Sequence, residues 1–225
     1  MDISDKRRFK EAVYAQFARI GKALSSGPRL ELLDVLAQGE RTVAELADLT
    51  GLSVANASQH LQVLRRARLV DTRKEGTYVH YRLTDERVFR LWQLLRALGE
   101  DRLAEIDRIV SDYRRERRAL EAVDADELRA RMQAGTVEVI DVRPVEEYRA
   151  GHIAGARSMP LDELEARMDE LPSDVEIVAY CRGPYCVFAD EAVERLRTRG
   201  FAARRLDVGF PDWKAAELPV ETTPA

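Results

Sequence analysis

The sequence predicts two domains, the first mainly α-helical and the second an α/β domain whose parallel sheet is flanked by helices. Three observations support this prediction. The 225 residues exceed the usual size of one domain. The first hundred residues show mostly helical hydrophobic spacing, and short β-branched runs alternate with helical segments after residue 123. We assign 1–100 to the first domain, 101–122 to a charged linker helix and 123–225 to the second domain.

Composition and charge narrow the classes of function. No apolar stretch approaches the roughly 18 residues that span a bilayer, and the first residues lack a signal-peptide core, so we expect a cytoplasmic protein that does not bind membranes. Residues 1–100 hold 17 Lys and Arg against 13 Asp and Glu, whereas residues 101–225 hold 19 against 27. A polyanionic partner is therefore expected to meet the first half.

Two helices are expected to open the chain. Apolar residues three or four positions apart predict a helix from about Ser4 to Leu24, with Phe9 and Phe17 on its apolar face. Gly27-Pro28 interrupts it. A second helix over Arg29 to Ala37 follows, since proline is well tolerated in a first helical turn.

Two short helices joined by a tight turn come next. Thr42 and Glu45 can form a capping box, in which each residue satisfies a free backbone donor of the other. This box begins a short helix that ends at Gly51. Ser53 begins another helix, to about Ala67, after only three turn residues. That arrangement is the signature of a helix-turn-helix.

The helix that begins at Ser53, which we call the recognition helix, has two faces. Val54, Ala57, Leu61 and Leu64 are expected to point inward. Glutamine and asparagine can make paired hydrogen bonds to adenine edges, and serine or histidine can reach bases or phosphates. The expected DNA contacts on this helix are Ser53, Asn56, Ser58, Gln59, His60, Gln62 and Arg65. A solvated polar face on an ordinary helical hairpin is the alternative.

A β-hairpin and a last helix complete the first domain. Leu69 to Lys74 and Tyr78 to Leu83 flank a central Gly76, the pattern of two strands joined by a turn. Arg73 and Lys74 at the tip are expected to contact phosphates. An amphipathic helix begins at Asp85 and carries Val88, Leu91, Trp92, Leu95 and Leu98, and a charged helix is expected from Asp101 to about Leu120.

Together these elements resemble the ArsR family of winged helix-turn-helix repressors, from about Phe9 to Gly99. The resemblance is carried by Pro28-Arg-Leu-Glu-Leu-Leu33, Thr42-Val-Ala-Glu-Leu-Ala47, the segment Gly51 to Leu64, Leu69-Val70 with the Gly76 hairpin, and Tyr81-Arg-Leu83. It implies a homodimer, paired through its first and last helices with Trp92 and Leu95 in the dimer core. It also implies binding to palindromic double-stranded operator DNA and release by an inducer.

One departure from the family concerns metals. Metal-sensing members carry cysteines in the segment that matches Thr42 to Ala47, and this chain has none there. Thiolate coordination in that segment is therefore excluded. We expect no metal site and no cofactor.

The second domain alternates strands and helices. The expected elements are a helix over Ala125 to Gln133 capped by Asp124, strands over Val137 to Val142, Glu176 to Tyr180 and Ala203 to Leu206, and a helix over Val187 to Arg197. Such alternation predicts a parallel sheet with helices on both sides. Its ligand crevice is expected beyond the carboxyl ends of the strands.

The loop Cys181-Arg-Gly-Pro-Tyr-Cys186 lies in that position and holds the only two cysteines of the chain. The start of the next helix and the neighbouring Arg182 favour ionisation of the Cys181 thiol, and thiolate is the reactive form. We expect Cys181 to be a reachable nucleophile, assisted by Arg182. Two close cysteines in a reducing compartment favour chemistry over a structural staple.

Four motifs in order make this domain resemble a single-domain rhodanese, from about Asp124 to Val220. They are Asp141-Val-Arg-Pro-Val-Glu-Glu-Tyr148, Gly151-His-Ile-Ala-Gly-Ala156 with Met159-Pro160, the cysteine loop, and Gly209-Phe-Pro-Asp-Trp213. The resemblance implies that Cys181 takes sulfane sulfur from a donor such as thiosulfate or polysulfide and becomes a persulfide. Gly183, Pro184 and Tyr185 then belong to the loop that wraps backbone donors around the sulfur, whereas Asp141, Arg143 and His152 are expected to stabilise the fold.

Cys186 occupies a position where simple rhodaneses often have Ser, Thr or Arg. A second thiol there can attack a persulfide on Cys181, which suits a two-state sensor. The alternative is a small buried residue that closes the loop. Related phosphatase loops need arginine where this chain has Val187, so phosphatase and arsenate reductase activity are disfavoured.

The sequence therefore favours a DNA-binding regulator, expected to be a repressor, whose second domain senses or transfers sulfane sulfur through a Cys181 persulfide. The main alternative is an enzyme, a thiosulfate or persulfide sulfurtransferase in which the winged helix only dimerises or localises the chain. A third hypothesis gives the second domain a docking role.

Overall fold

The computed structural model describes residues 3–116 and 121–223. The chain divides into two compact units, Met1–Leu95 and Arg96–Ala225. The boundary falls inside one helix, which contributes residues to both units. Within the described ranges, no helix is both long enough and apolar enough to cross a membrane.

The first unit is mainly α-helical with a small antiparallel sheet. Its elements are α1 (Ile3–Leu24), α2 (Gly27–Leu36), β1 (Arg41–Thr42), α3 (Val43–Thr50), α4 (Val54–Arg66), β2 (Val70–Glu75), β3 (Tyr78–Leu83) and α5 (Glu86–Arg102). The sheet order is β1-β3-β2, and every neighbouring pair is antiparallel. The predicted winged helix-turn-helix is confirmed, with α3 and α4 as its two short helices and the β2-β3 hairpin as its wing.

Local hydrogen bonds define the helix-turn-helix. The backbone N–H of Thr42 donates to Glu45 Oε2 at 2.7 Å, and the N–H of Glu45 donates to Thr42 Oγ1, so the predicted capping box is confirmed. The N–H of Asn56 donates to Ser53 Oγ at the start of α4. Gly51 ends α3 with a φ of 65°, a left-handed conformation that favours glycine. The turn between α3 and α4 is therefore fixed by residues close in sequence.

The core of the first unit confirms most of the predicted inward face of the recognition helix. Ala57, Leu61 and Leu64 are fully buried, and the two leucines pack with Leu32 and Leu46 of α2 and α3. The prediction for Val54 is wrong, because this first residue of α4 is 52% exposed. Burial of α4 begins only at Ala57, one turn into the helix.

The second unit is the predicted α/β domain. Its further elements are α6 (Ala104–Glu116), β4 (Ala122–Val123), α7 (Ala125–Gln133), β5 (Val137–Asp141), α8 (Val145–Ala150), β6 (His152–Ile153), β7 (Arg157–Ser158), α9 (Leu164–Arg167), a 3-10 turn (Met168–Glu170), β8 (Glu176–Tyr180), α10 (Val187–Thr198), β9 (Ala203–Leu206), α11 (Phe210–Ala215) and β10 (Val220–Glu221). Five strands form a parallel sheet in the order β4-β9-β8-β5-β7, while β6 pairs with β10.

The register of the central strands positions the cysteine loop. In the parallel pair β5-β8, Asp141 lies beside Tyr180. Val142 and Cys181 follow these residues, and their side chains share one buried layer with Ala189 of α10. Tyr180 lies in the other layer, because successive side chains of a strand point to opposite faces. Cys181 is therefore directed toward the face of the sheet that α10 covers.

The prediction of one charged helix from Asp101 to about Leu120 is wrong in its first part. The helix is interrupted at Leu103, which belongs to neither α5 nor α6, and α6 begins at the next residue. Ile106 then packs against Gly99, where the lack of a side chain leaves room. Residues 117–120 of the predicted helix lie outside the described residues, and Ala122–Val123 is strand β4.

Candidate functional site

The cysteine loop follows β8 at the carboxyl end of the parallel sheet. Its two sulfur atoms are joined in a disulfide bond, with the Cα atoms of Cys181 and Cys186 6.1 Å apart. Cys181 is only 2% exposed, whereas Cys186 is half-buried and is the N-cap residue of α10. The expected reachable thiolate is not the state observed here, because Cys181 is oxidised and enclosed in the core layer.

The charge of Arg182 is balanced by a buried carboxylate. Its Nη2 and Nε donate to Glu147 at 2.7 and 3.1 Å, and its guanidinium lies over the ring of Phe188. Both charged side chains are buried. The pair therefore anchors the loop to α8, and Glu147 offsets the positive charge that Arg182 would lend to a thiolate. Glu147 belongs to the motif Asp141 to Tyr148, but nothing in that motif indicates that it pairs with Arg182.

The loop rests against Gly209. A Cβ atom at this position would lie 2.2 Å from the carbonyl oxygen of Arg182 and 2.4 Å from the Cα of Gly183. The N–H of Phe210 donates to the carbonyl oxygen of Cys181 at 3.0 Å. Two backbone segments thus approach more closely than any side chain allows, which explains why glycine begins the last rhodanese-like motif.

The middle of the loop contacts α5 and α6. The hydroxyl of Tyr185 donates to Glu100 Oε1 at 2.6 Å, and burial together with this bond raises the pKa of Tyr185. Arg114 of α6 donates to the carbonyl oxygen of Pro184 and pairs with the buried Asp190 of α10. The N–H of Cys186 donates to the carbonyl oxygen of Gly183 at 3.1 Å. The predicted cradle residues are therefore held in place by the loop itself and by two helices.

An apolar groove lies where α6 meets the loop. Its volume is about 380 Å³, and its lining residues are Ile106, Ile109, Val110, Tyr113, Arg114, Tyr185, Val187 and Asp190. Burial lowers the pKa of Arg205, whose Nε lies 3.5 Å from Asp190 Oδ1. Asp190 of α10 is therefore paired with two arginines, Arg114 of α6 and Arg205 of β9.

The residues expected to stabilise the fold form a buried polar network. Arg143 Nη2 donates to Asp141 Oδ2 at 2.6 Å and to the carbonyl oxygen of Gly151 at 2.7 Å. The hydroxyl of Tyr180 donates to the same Asp141 oxygen and accepts from the N–H of Ile153. The side chains of Asp141 and Arg143 are both fully buried. His152 is buried as well, and its ring nitrogen Nδ1 lies 2.9 Å from the carbonyl oxygen of Tyr148.

The Tyr180 network predicts a loss of stability in alkali. Burial raises the pKa of Tyr180 well above its ordinary value of 10.0, so the folded state holds this proton more tightly than the unfolded state does. Stability is then complete below pH 10 and falls as the pH rises toward the folded-state pKa. We expect urea unfolding between pH 9 and roughly 11 to show this slope. A Tyr180→Phe chain should show a shallower slope, to which Tyr148 and Tyr185 still contribute because their pKa values are also raised. A chain with the exposed Tyr78 changed to Phe should retain the full slope. Equal slopes in all three chains would contradict the assignment.

The residues predicted to contact DNA lie on α4 and the wing. Exposed side chains are those of Ser53, Asn56, Gln59, Gln62, Arg65, Arg73 and Lys74, while Ser58 and His60 are half-buried. Ser53 Oγ already accepts a bond from the backbone, so it caps the helix. Arg73 donates to Glu40 and Glu75 at 2.8 Å, and its bond lowers the pKa of Glu40.

Apolar side chains remain exposed on α1 and α5. They include Phe9, Phe17, Leu91, Leu94, Leu95 and Leu98. Trp92 is half-buried, and its indole N–H donates to Asp34 Oδ1 at 2.9 Å within the first unit. The exposed apolar faces lie on α1 and α5, the two helices through which the sequence predicts that the chain forms a homodimer.

Within residues 3–116 and 121–223, no three or more His, Cys, Asp or Glu side chains are grouped so that they would hold a metal ion.

A helix-turn-helix with a hairpin wing places the first unit in the class of winged helix-turn-helix DNA-binding regulators, and the second unit adds a cysteine-bearing parallel sheet. Family patterns agree with this division. The pattern described as bacterial regulatory protein, arsR family, matches residues 26–72, and that described as rhodanese-like domain matches residues 124–216.

Individual relatives cover one or both parts. The HTH-type transcriptional regulator Rv0324 of Mycobacterium tuberculosis is 45% identical over 212 residues, which are 94% of this chain and 93% of that protein. A solved homodimeric winged helix-turn-helix domain from Mycobacterium bovis is 46% identical, with a TM-score of 0.40 over 42% of this chain and 87% of its own. A rhodanese-related protein from Thermoplasma volcanium is 25% identical, with a TM-score of 0.41 over 45% of this chain and 97% of its own.

The match to Rv0324 over nearly the whole of both chains settles the family. This chain belongs to the ArsR family of bacterial transcriptional regulators and carries a C-terminal rhodanese-like domain.

Proposed function

We propose that this regulator is a homodimeric repressor of operator DNA whose rhodanese-like domain senses sulfane sulfur through Cys181. The bond between Cys181 and Cys186 carries the proposal. A DNA-binding protein works in the reducing compartment of a bacterium, where disulfides are rare and usually serve redox sensing. The pair is therefore a two-state element rather than a staple.

The chemistry needs only the two cysteines and a sulfur donor. The Cys181 thiolate attacks the terminal sulfur of a persulfide RSSH, forms a Cys181 persulfide and releases the thiolate RS⁻. The Cys186 thiolate then attacks Cys181 Sγ, forms the disulfide and expels HS⁻. A bond between Cys181 and Cys186, as the structure has it, is what this second step would produce. The donor is thereby reduced, and the dithiol is oxidised by two electrons.

The contacts of the loop provide a route from sulfur chemistry to α5. Closing the disulfide fixes the ends of a short loop whose middle residues, Pro184 and Tyr185, are held by Arg114 and Glu100. Glu100 lies on α5, whose earlier residues Val88 and Phe89 are buried in the first unit. A change at the cysteines therefore alters contacts of a helix that both units share.

Dimer formation follows from the exposed apolar faces. Phe9 and Phe17 on α1, with Leu94 on α5, are more than half exposed in the single chain. Burying such side chains contributes about 25 cal/mol per Å² of apolar surface, which favours association with a second copy. A dimer also pairs two recognition helices, as a palindromic operator requires.

DNA binding then uses α4 and the wing. Gln59 and Gln62 are exposed on α4, where amide side chains can read base edges. Arg73 has to exchange its bond with Glu40 for a phosphate, while Lys74 is exposed at the hairpin. Operator affinity is therefore expected to fall steeply with salt.

The test compares operator binding before and after treatment with sulfane sulfur. The reduced full-length chain is used to select its operator from random duplex DNA, and its affinity is measured at a fixed salt concentration with and without sodium tetrasulfide. We expect treatment to weaken binding by roughly tenfold, which lies within the usual range of coupling between two sites. The Cys181→Ser chain should bind the operator equally well with and without treatment.

The controls separate sensing from the other hypotheses. A Cys186→Ser chain is expected to form the Cys181 persulfide but not the disulfide, as mass spectrometry will show. Equal responses of wild type and Cys181→Ser would contradict the proposal and favour a docking role. Steady turnover of thiosulfate and cyanide without any change in operator affinity would instead establish a sulfurtransferase.

A further inference from the structure

A cavity of about 550 Å³ borders the core layer that contains Cys181, on the face of the sheet toward which Cys181 points. Its lining residues are Val142, Pro144, Val145, Glu146, Pro160, Leu161, Asp162, Glu163, Phe188 and Arg195. Val142 lies next to Cys181, because the two residues follow the paired positions Asp141 and Tyr180. Val142 and Phe188 also pack in the core layer that contains Cys181, so two walls of the cavity border that layer.

The charges around this cavity are mostly negative. Glu146, Asp162 and Glu163 contribute three carboxylates, of which Glu163 is paired with Arg167 at 2.9 Å, and Arg195 contributes the single guanidinium of the lining. Arg195 donates to Glu191 at 2.5 Å and to the carbonyl oxygen of Leu161 at 3.2 Å, so its charge is shared with a carboxylate outside the lining. A cleft lined by one sign of charge concentrates ligands of the opposite sign and repels those of its own.

We infer that this cavity is the route by which sulfur donors reach Cys181, and that Glu146 and Asp162 select neutral or cationic organic persulfides against dianions such as thiosulfate. The inference rests on the proposed function and names the donor class of the same site. In the transfer, the S–S bond of the donor breaks, its terminal sulfur bonds to Cys181, and the organic group leaves as a thiolate. A positive charge on that organic group is stabilised in the cavity, whereas the two negative charges of thiosulfate are not.

The test measures the charge preference of a single thiol. In a full-length Cys186→Ser chain, Cys181 is the only cysteine. The probes are two methanethiosulfonates of similar size, one with a trimethylammonium-ethyl group and one with a sulfonate-ethyl group. Each forms a mixed disulfide with the thiolate and releases methanesulfinate. At low salt we expect the ratio of the cationic to the anionic rate to exceed the ratio for a small free thiol such as 2-mercaptoethanol by roughly tenfold, from the Coulomb effect of the cavity carboxylates.

A matched pair of variants assigns the preference to the cavity. Changing Glu146→Gln and Asp162→Asn together should bring the ratio of the two rates close to that of the small thiol. Changing Asp126→Asn and Glu194→Gln removes the same charge at two exposed positions outside the cavity lining and should leave the ratio unchanged. High salt should reduce the preference of the unmodified cavity, since it screens charges across the opening.

The modification rates test the cavity, whereas operator affinity tests the proposed function, so the two can fail independently. A rate ratio no higher than that of the small thiol, or a ratio unaffected by the cavity substitutions, would overturn the inference. If the charge preference is found but sodium tetrasulfide leaves operator affinity unchanged, the cavity assignment stands and the sensing proposal fails. A direct comparison of donors completes the test: cysteamine persulfide should modify Cys181 faster than thiosulfate does, and the reverse order would also overturn the inference.

Discussion

Replacing Gly209 with alanine is expected to destabilise the rhodanese-like domain by about 3 kcal/mol and to slow closure of the Cys181–Cys186 bond. The added Cβ would lie 2.2 Å from the carbonyl oxygen of Arg182, and its neighbours are backbone atoms that cannot rotate away. The loop must therefore move from Gly209, which strains the bond between the N–H of Phe210 and the carbonyl oxygen of Cys181. The expected loss is large because one methyl group displaces the whole cysteine loop.

Two measurements check the Gly209→Ala prediction. Urea unfolding reports the loss of stability, and titration of free thiols during reoxidation reports closure of the disulfide. Gly21→Ala is the control, because this exposed glycine of α1 has no atom within 4 Å of the added Cβ. Alanine in the middle of a helix should stabilise the chain by roughly 0.5–1 kcal/mol. Unchanged stability and unchanged reoxidation of the Gly209→Ala chain would show that the loop does not depend on this close approach.

Much of the fold was predictable because its signals are local. The Thr42–Glu45 box and the Ser53 cap depend on residues three positions apart, and both form as predicted. The strands β5, β8 and β9 are short apolar runs between helical segments, which is the pattern that a buried parallel sheet requires. Their alternation with helices then limits the topology to a parallel arrangement.

The features that could not be predicted depend on contacts that helical and strand periodicity do not encode. The pairing of Arg182 with Glu147 joins residues 35 positions apart, and no local pattern indicates it. The break at Leu103 comes with a contact between Ile106 and Gly99, which the periodicity of the charged segment does not indicate. Val54 was placed inward by helical periodicity alone, although burial of α4 begins one turn later.

For the cysteine loop, the sequence predicted the position in the fold but not the burial of Cys181. Its place after β8 followed from strand and helix patterns, and the structure has it there. Its burial did not follow, because enclosure of Cys181 depends on Val142 from a neighbouring strand and on Ala189 from α10. The roles proposed for Cys181 and Cys186 remain predictions that the operator-binding and thiol-modification experiments test.

Replacing Asp141 with asparagine is expected to cost about 3–5 kcal/mol, the usual effect of removing one partner of a buried ion pair. The side chains of Asp141 and Arg143 are both fully buried, so the substitution leaves a guanidinium charge in the core with its main counter-charge removed. The hydroxyl of Tyr180 also donates to this carboxylate, and the backbone N–H of Arg143 does so at 3.0 Å. One substitution therefore weakens β5, β8 and the start of the loop before α8 together.

The Asp141→Asn effect can be separated from a general loss of charge. Unfolding in urea is followed by the fluorescence of the buried Trp213 in a Trp92→Phe background, which reports on the second unit alone. Asp112→Asn removes a carboxylate from the exposed pair with Arg115 in the same unit and should cost less than about 1 kcal/mol. Adding Arg143→Met to Asp141→Asn should recover part of the loss, because no guanidinium then remains buried. If the double variant is less stable than Asp141→Asn alone, Arg143 contributes mainly through its bond to Gly151 and its packing on Phe210 rather than through the ion pair.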